Sequence, residues 1–342
     1  MDFLQPATWA DALSARAANP GATPLAGGTD VMVELNFDKH RPDALLDLTR
    51  VPELAEWAMD DGRVRLGAGV TYTRVIAELS SLLPGLAMAA RTVGSPQIRN
   101  RGTVGGNLGA ASPAGDSHPA LLAAGAQVEV ASARGSRVIP VADFFTGVKR
   151  NALAPDELIE AILITPPSGP QQFSKIGTRN AMVIAVAAFG LALHPAARVH
   201  PTAPAPGDTA PGDTAPGDTA PGGAARGSAA HDGRTVGTGI GSAAPTPRRA
   251  VAAEAFLAGA LEEAGLWESR EQLPAAVVTK FAALVAAAAA PIDDVRGTAA
   301  YRSHALAVMA RRTLTWAWHD YRRGGPGGRG DAGPRGWHSG RC

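Results

Sequence analysis

Two glycine-rich stretches hold the residues of this 342-residue chain best suited to chemistry. The first, Pro24-Leu25-Ala26-Gly27-Gly28-Thr29-Asp30, follows a short strand-like segment and precedes a helix-like one. Paired glycines there turn the chain tightly and expose successive backbone N–H groups at a helix N-terminus, which suits a pyrophosphate. Gly-Gly also marks an ordinary tight turn, and the segment is neither a Walker motif nor a GxGxxG fingerprint. The second stretch runs from Thr92-Val93-Gly94-Ser95-Pro96 through Thr103-Val104-Gly105-Gly106-Asn107-Leu108 to Gly115-Asp116. So many small and polar residues inside an apolar region pack poorly, which argues that the backbone there approaches a ligand closely. Asp116 is placed to accept hydrogen bonds from hydroxyls such as those of a ribose, a role that competes with that of a plain turn residue.

Other chemistry is thinly supplied. Arg99, Arg101 and Arg179 suit phosphate, but surface solvation or contact with a partner accounts for Arg99 and Arg101 equally well. Asp293-Asp294 has no His or third carboxylate at ligand spacing and reads as a helix cap or turn. Eight histidines are scattered without HxxxH pairing, so no metal ligand and no catalytic residue is assigned. Cys342 is the one cysteine, which excludes an internal disulfide, a Cys-based zinc site and a cysteine-ligated iron–sulfur cluster. Any iron–sulfur chemistry must come from another chain.

The elements that position these residues belong to a globular protein: 45% of the chain is apolar, ample for real cores. A formal charge of +1 gives no sequence-wide field toward nucleic acid or anionic lipid. Asp2 and Asp11 stand where a signal peptide needs basic residues, so a cytoplasmic location is expected. The longest apolar stretch, Ala181 to Leu193, is about two-thirds of the roughly 20 residues a membrane span needs and reads as a buried element.

Hydrophobic patterning predicts a helix from near Thr8, a strand at Thr23 to Leu25, a second helix and a strand at Ala44 to Leu48, the β–α–β order of a small parallel sheet. Strand-like runs at Val64 to Leu66, Ala126 to Val130 and Leu158 to Leu163 then alternate with helical ones at Tyr72 to Leu79 and Leu82 to Thr92, a second α+β unit. After Pro195 the composition turns Pro/Gly/Ala-rich and repeats Pro-Gly-Asp-Thr-Ala three times between Pro206 and Ala220. That stretch has almost nothing to bury and is expected to be a disordered loop. A strand resumes near Thr235, followed by helices at Arg248 to Glu263, Ala275 to Ala290 and Ala299 to Trp318, and then a frayed Gly/Arg-rich tail. The expected units are 1–60, 61–170 and 171–320, with the insertion at 195–234 and the tail at 321–342.

Taken together, Ala26-Gly27-Gly28-Thr29-Asp30 and the run from Gly94-Ser95-Pro96-Gln97-Ile98-Arg99-Asn100 to Asp116 resemble the FAD-binding (medium) subunit of the xanthine dehydrogenase and carbon-monoxide dehydrogenase family. Val141-Ala142-Asp143-Phe144-Phe145, Leu158-Ile159, Phe173 to Arg179, Gly241 to Arg248 and Pro291 to Arg302 match in the same order, and the collinear set is far more specific than any one motif. The repeat insertion has no counterpart in the family pattern.

The resemblance implies an α+β fold of the vanillyl-oxidase or MurB-like, PCMH-type architecture: two α/β subdomains clasping FAD, then a C-terminal domain of antiparallel strands and helices. It implies that Leu25 and Ala26 to Asp30 wrap the FAD pyrophosphate, that Thr103, Gly105, Gly106 and Asn107 form a second cradle, and that Asp116 holds sugar hydroxyls. Val93, Gly94 and Ile159 would line the flavin or adenine surroundings. Lys175 would sit near the isoalloxazine pyrimidine edge, where a cation stabilises the negative charge of reduction. Implied partners are a molybdenum-cofactor large subunit and a small subunit with two [2Fe–2S] clusters, in a hetero-oligomer such as a dimer of heterotrimers. A self-sufficient FAD oxidoreductase acting on a small molecule, and a cofactor-free scaffold subunit, are the competing readings. The first needs a general base or substrate-gripping cluster in an alanine-dominated C-terminal region, and the second needs broken glycine turns.

Overall fold

The computed structural model describes residues 1–39, 41–195 and 234–324. The Pro-Gly-Asp-Thr-Ala repeats with the rest of the expected loop at 196–233, and the expected tail from 325 onward, lie outside the described residues.

The N-terminal unit contains strand β1 (Asp2–Leu4), helix α1 (Trp9–Ala18), β2 (Thr23–Leu25), α2 (Val31–Asn36) and β3 (Ala44–Asp47). Thr8 caps α1 by accepting the Asp11 N–H at 3.1 Å, which satisfies one of the orphan donors of the first turn. The three strands form a parallel sheet in the order β1-β3-β2. Central β3 is buried along all four residues, as parallel strands covered on both faces require.

The second unit continues with a single turn of 3-10 helix at Pro52–Ala55, then β4 (Trp57–Asp60), β5 (Arg63–Gly67), α3 (Tyr72–Glu78), α4 (Pro84–Thr92), α5 (Pro96–Arg101), α6 (Val104–Ala110) and α7 (Ser117–Ala123). It closes with β6 (Gln127–Ser132), β7 (Gly135–Pro140), α8 (Val141–Phe144), β8 (Phe145–Gly147), β9 (Arg150–Asn151) and β10 (Leu158–Ile164). Five strands form an antiparallel sheet in the order β4-β5-β10-β6-β7. One apolar core, with Leu46, Val64, Leu66, Leu108, Leu121 and Ile162 at its centre, runs through both units.

The C-terminal unit has an antiparallel sheet of β11 (Gln171–Ile176), β12 (Ala187–His194) and β13 (Thr235–Gly241), and helices α9 (Val251–Glu263), α10 (Leu266–Ser269), α11 (Ala275–Ala287) and α12 (Ala299–Arg322). The apolar stretch read as one buried element divides: Ala187 to Leu193 is buried in β12, while Met182 and Ile184 are exposed. Helix α12 runs past Trp318, where the sequence reading ends it and begins the tail after residue 320. Tyr321 is buried and donates its hydroxyl to the Trp267 carbonyl at 2.7 Å.

Helix α7 joins the second and third units. All seven of its residues are buried, and it lies on a row of strand glycines. A Cβ at Gly190, Gly237 or Gly239 would collide with the backbone of Pro119 or Ala123, so glycine there permits a helix to pack at backbone distance. That packing brings Asp116, at the head of α7, beside Lys175 on β11.

Candidate cofactor site

The two glycine stretches meet. A Cβ at Gly27 would overlap the Arg101 carbonyl, and one at Gly106 would stand 3.9 Å from the Ala26 Cβ. Gly28 has φ +74°, the left-handed conformation needed for the turn into α2. Leu25 closes β2 with Cδ1 3.5 Å from a Cβ position at Gly28, and Thr29 Oγ1 is 3.5 Å from one at Gly102. Asp30 is exposed, and its carbonyl accepts the N–H groups of Val33 and Glu34 at 3.0 and 3.1 Å, starting α2. Across the junction, Thr103 caps α6 by accepting the Gly106 N–H at 2.8 Å. Gly105 is packed on Ala68 with no room for a Cβ, whereas Gly106 and Gly109 are exposed. Gly106 and Gly109 thus expose a strip of backbone beside the Ala26-Gly27 turn.

Beside the strip lies a buried ion pair. Lys175 Nζ donates to Asp116 Oδ2 at 2.6 Å and to the Thr92 carbonyl at 3.1 Å, and Thr92 Oγ1 lies 3.3 Å from the same carboxylate oxygen and 2.8 Å from the Ala89 carbonyl, which share its one hydroxyl proton. Both charged side chains are less than a tenth exposed. Burial pushes the Asp116 carboxyl above the usual carboxylate range, and the attraction of Lys175 offsets this only in part. Asp116 Oδ1 is buried without a hydrogen-bond partner, a costly state for a carboxylate oxygen.

Asn107 is held from two sides: Ser117 Oγ donates to its Oδ1 at 2.6 Å, and its carbonyl lies 3.1 Å from His118 Nε2. Its Nδ2 makes no hydrogen bond among the described residues. Ile159 lies at the bulge of β10, with Cδ1 3.8 Å from a Cβ position at Gly109. Val93 ends α4, packs on the main core and, with Gly94, offers its carbonyl to Arg99. Gly94 and Lys175 line a cavity of about 450 Å³ whose far wall is the loop from Gly177 to Val183. A second cavity, of about 480 Å³ beside Thr246, Arg248 and Val251, touches none of the residues expected to hold FAD.

Arg99, one of the arginines left open by the sequence, ties the Val93-Gly94 turn, and Arg179 ties its own loop through the Met182 carbonyl. Asp293 Oδ1 accepts the Ala299 N–H at the start of α12, while Asp294 binds Arg296 and the buried Arg302. Both acids therefore serve the cap and turn. Among the described residues no three His, Cys, Asp or Glu side chains gather to hold a metal ion, and no helix is long and apolar enough to cross a membrane.

The family model for the FAD binding domain in molybdopterin dehydrogenase matches residues 1–167, and that for the CO dehydrogenase flavoprotein C-terminal domain matches residues 223–317. The xanthine dehydrogenase FAD-binding subunit of Escherichia coli O157:H7 is 36% identical over 199 residues, covering 56% of this chain and 67% of that one. The chain belongs to this family of FAD-binding subunits. The nicotinate dehydrogenase FAD-subunit of Eubacterium barkeri is 36% identical over 176 residues, and the match spans 49% of this chain and 60% of the relative's length. A solved CO dehydrogenase from Oligotropha carboxidovorans superposes with a TM-score of 0.74 at 25% identity, covering 93% of this chain and 98% of the other.

FAD is the cofactor of the family, and the residues present fit it. The exposed backbone strip at Gly106 and Gly109, beside the Ala26-Gly27 turn, suits a pyrophosphate, and the orphaned Asp116 Oδ1 needs the hydroxyl donor that a sugar brings. Sequence reasoning missed Thr92 and Ser117. Thr92 holds both members of the ion pair, and Ser117 fixes the Asn107 amide. Their positions flanking the second glycine stretch were the available signal, but neither residue type marks its partner in the sequence.

Proposed function

We propose that this chain carries one FAD and relays electrons through it as a subunit of a molybdenum-dependent hydroxylase, accepting them from [2Fe–2S] clusters of a small partner subunit. Substrate hydroxylation would belong to a large molybdenum-cofactor subunit, and the assembly would be cytoplasmic. The observation that carries this reading is the buried Lys175–Asp116 pair with one unpartnered carboxylate oxygen, set beside two glycine turns that touch. When bound, FAD accepts electrons singly and discharges them as a pair.

The chain's own residues divide the work of holding it. Leu25 to Asp30 and Thr103 to Asn107 bring backbone to the pyrophosphate from two sides, with the Gly106 and Asn107 N–H groups held by Thr103 and those of Val104 and Gly105 at the start of α6 left to face it. Asp116 Oδ1 accepts a sugar hydroxyl, Val93, Gly94 and Ile159 give apolar and backbone surface to the rings, and Lys175 brings a cation to the flavin edge. Residues 1–60 and 61–170 would form the clasp and 171–320 its third wall. The polar groups of the C-terminal unit speak against an independent oxidoreductase: Glu254 binds Thr238 and Arg249, Arg302 binds Asp294, and Gln172 binds Asp320. All are engaged in structure, and among the described residues no His, Asp or Glu lines the cavity beside Lys175.

The test is an absorbance spectrum of the full chain after FAD addition and gel filtration, repeated with Gly106→Leu. Co-eluting flavin that the substitution abolishes supports the reading. A folded, unaltered chain that retains no flavin even with its partner subunits refutes it.

A further inference from the structure

The His118 ring, in the first turn of α7, is wholly buried and wedged between the two arms of the second glycine stretch. On one side its Nε2 lies 3.1 Å from the Asn107 carbonyl. On the other, a Cβ at Gly115 would fall 2.2 Å from the ring atom Cε1, so the backbone leading into Asp116 rests directly on the imidazole. Phe145 closes a third side, with ring centroids 4.6 Å apart.

The neighbours fix which nitrogen carries the proton. A carbonyl oxygen only accepts, so the N–H is at Nε2. The Asn107 and Ser112 carbonyls draw the imidazole pKa up, but burial outweighs them and lowers it to about 4, which keeps the ring neutral near pH 7. Nδ1 is then bare, without a hydrogen-bond partner among the described residues. The Nε2–H bond also answers a need at the end of α6. In a continued helix the Ala111 N–H would reach the Asn107 carbonyl, but Ala111 is left-handed, with φ +46°, and gives its N–H to Leu108 at 2.9 Å. His118 supplies the donor that the helix end withdraws.

Asn107 is thereby gripped at both ends, its main chain by His118 and its side chain by Ser117, whose Oγ donates to Asn107 Oδ1 at 2.6 Å. The buried Tyr72 hydroxyl stands 3.5 Å behind that Oγ as a donor, and burial raises its pKa, so it keeps its proton. With Oδ1 committed to Ser117, the amide turns only its Nδ2 donor toward a ligand. A donor selects a group that accepts, such as a phosphate oxygen.

We propose that His118 is a positioning residue for FAD: its Nε2–H fixes the Asn107 main chain and, together with Ser117, aims the Asn107 amide as a donor at the phosphates of the dinucleotide. The proposal rests on the reading that the glycine turns seat FAD. Buried behind Asn107 and Gly115, the ring acts through them.

The test is a double-mutant cycle in FAD affinity, read by flavin fluorescence on titration of the full chain, with urea unfolding of each variant as a check on its fold. His118→Phe keeps a ring against Gly115 and Phe145 but removes the N–H, and should weaken FAD binding about tenfold. Asn107→Ala should weaken it at least as much. Adding His118→Phe to Asn107→Ala should then cost less than about twofold, because no amide is left to aim. His118→Gln, which keeps a side-chain N–H donor, should stay within about threefold of wild type. His118→Leu, smaller than the native ring and also without a donor, takes the place of His118→Phe if that variant does not fold. An equal loss in both backgrounds, or no loss in His118→Phe, overturns the proposal, as does His118→Gln binding no better than His118→Phe. Wild type that binds no FAD strikes the cofactor reading, and the proposal falls with it.

Discussion

Lys175 Nζ and Asp116 Oδ2 stand 2.6 Å apart although 59 positions separate them in sequence, and both side chains are almost wholly buried. Lys175→Met leaves a buried carboxylate without its counter-charge and should cost about 3 kcal/mol at neutral pH. Burial already holds the folded-state pKa of Asp116 above the usual carboxylate range, and Lys175 is the main influence drawing it down. A carboxyl with a raised folded-state pKa penalises folding while ionised, and the penalty lifts as pH falls through that pKa. The variant should therefore regain part of its stability relative to wild type on acidification from pH 7 toward 5, measured by urea unfolding. Asp116→Asn/Lys175→Met should cost less than the two single changes summed; strict additivity would mean that the pair does not act as a unit.

Neighbouring Gly105 and Gly106 should fail in different ways. A Cβ at Gly105 runs into Ala68, whereas at Gly106 it meets only Thr103 Oγ1 at 3.0 Å and Ala26 at 3.9 Å. Gly105→Ala should lower stability by about 2 kcal/mol through overpacking. Gly106→Leu should leave the unfolding midpoint within about 1 kcal/mol of wild type, since a helical Gly replaced by a better helix former offsets strain, and yet abolish flavin retention. Thermal unfolding and absorbance of the same two samples separate the effects. A stable Gly105→Ala protein would place free space where the structure has none.

What the sequence disclosed follows from how each feature is encoded. The buried strands β3 and β10 are apolar runs and read directly, whereas β12 was legible only as part of a buried element. Strands β1, β4 and β7 were not expected, because they are short or mostly exposed edges with weak alternation. Helices α5 and α6 fall inside the second glycine-rich stretch, where no helix was expected, and α7 follows it directly. The sequence Val104-Gly105-Gly106-Asn107-Leu108-Gly109-Ala110 has poor helix propensity, and the Thr103 cap together with burial of Val104 and Leu108 overrides it. The Lys175–Asp116 contact was not legible at all: as a strand lysine, Lys175 looks solvated. Its burial depends on α7 settling on Gly190, Gly237 and Gly239, a close approach that no local pattern announces.

His118 should make the protein acid-sensitive. The ring is fully buried, packed on Phe145 with centroids 4.6 Å apart, and burial depresses its pKa to about 4 from an ordinary 6.5. The unfolded chain then takes up a proton near pH 6.5 that the folded chain refuses until near 4. The contribution is complete above about pH 6.5 and is lost as pH falls between those values, by up to about 1.4 kcal/mol per pH unit. Asp116, two positions away, acts with the opposite sign, so the informative quantity is wild type minus His118→Gln, in which Asp116 is common to both. Chemical unfolding at pH 7.5, 6 and 5 should give that difference a positive slope with pH. A flat difference would mean that His118 keeps its ordinary pKa in the folded chain.

Deleting residues Pro201 to Ala230 should leave FAD affinity unchanged. Strands β12 and β13 pair in antiparallel register from Ala188↔Gly241 to His194↔Thr235, so the inserted stretch joins them beyond the His194 end. Lys175 pairs with Ala188 at the other end, and six residues of extended strand put roughly 20 Å between the His194–Thr235 end of the sheet and the ion pair. The ten residues remaining between His194 and Thr235 exceed what an antiparallel connection needs. Because loop-closure entropy grows only slowly with length, the shorter connection should also leave stability within about 1 kcal/mol. Fluorescence titration of FAD into wild type and deletion variant reads the affinity directly. A loss of more than about tenfold would mean that the insertion reaches the cofactor site and belongs to it.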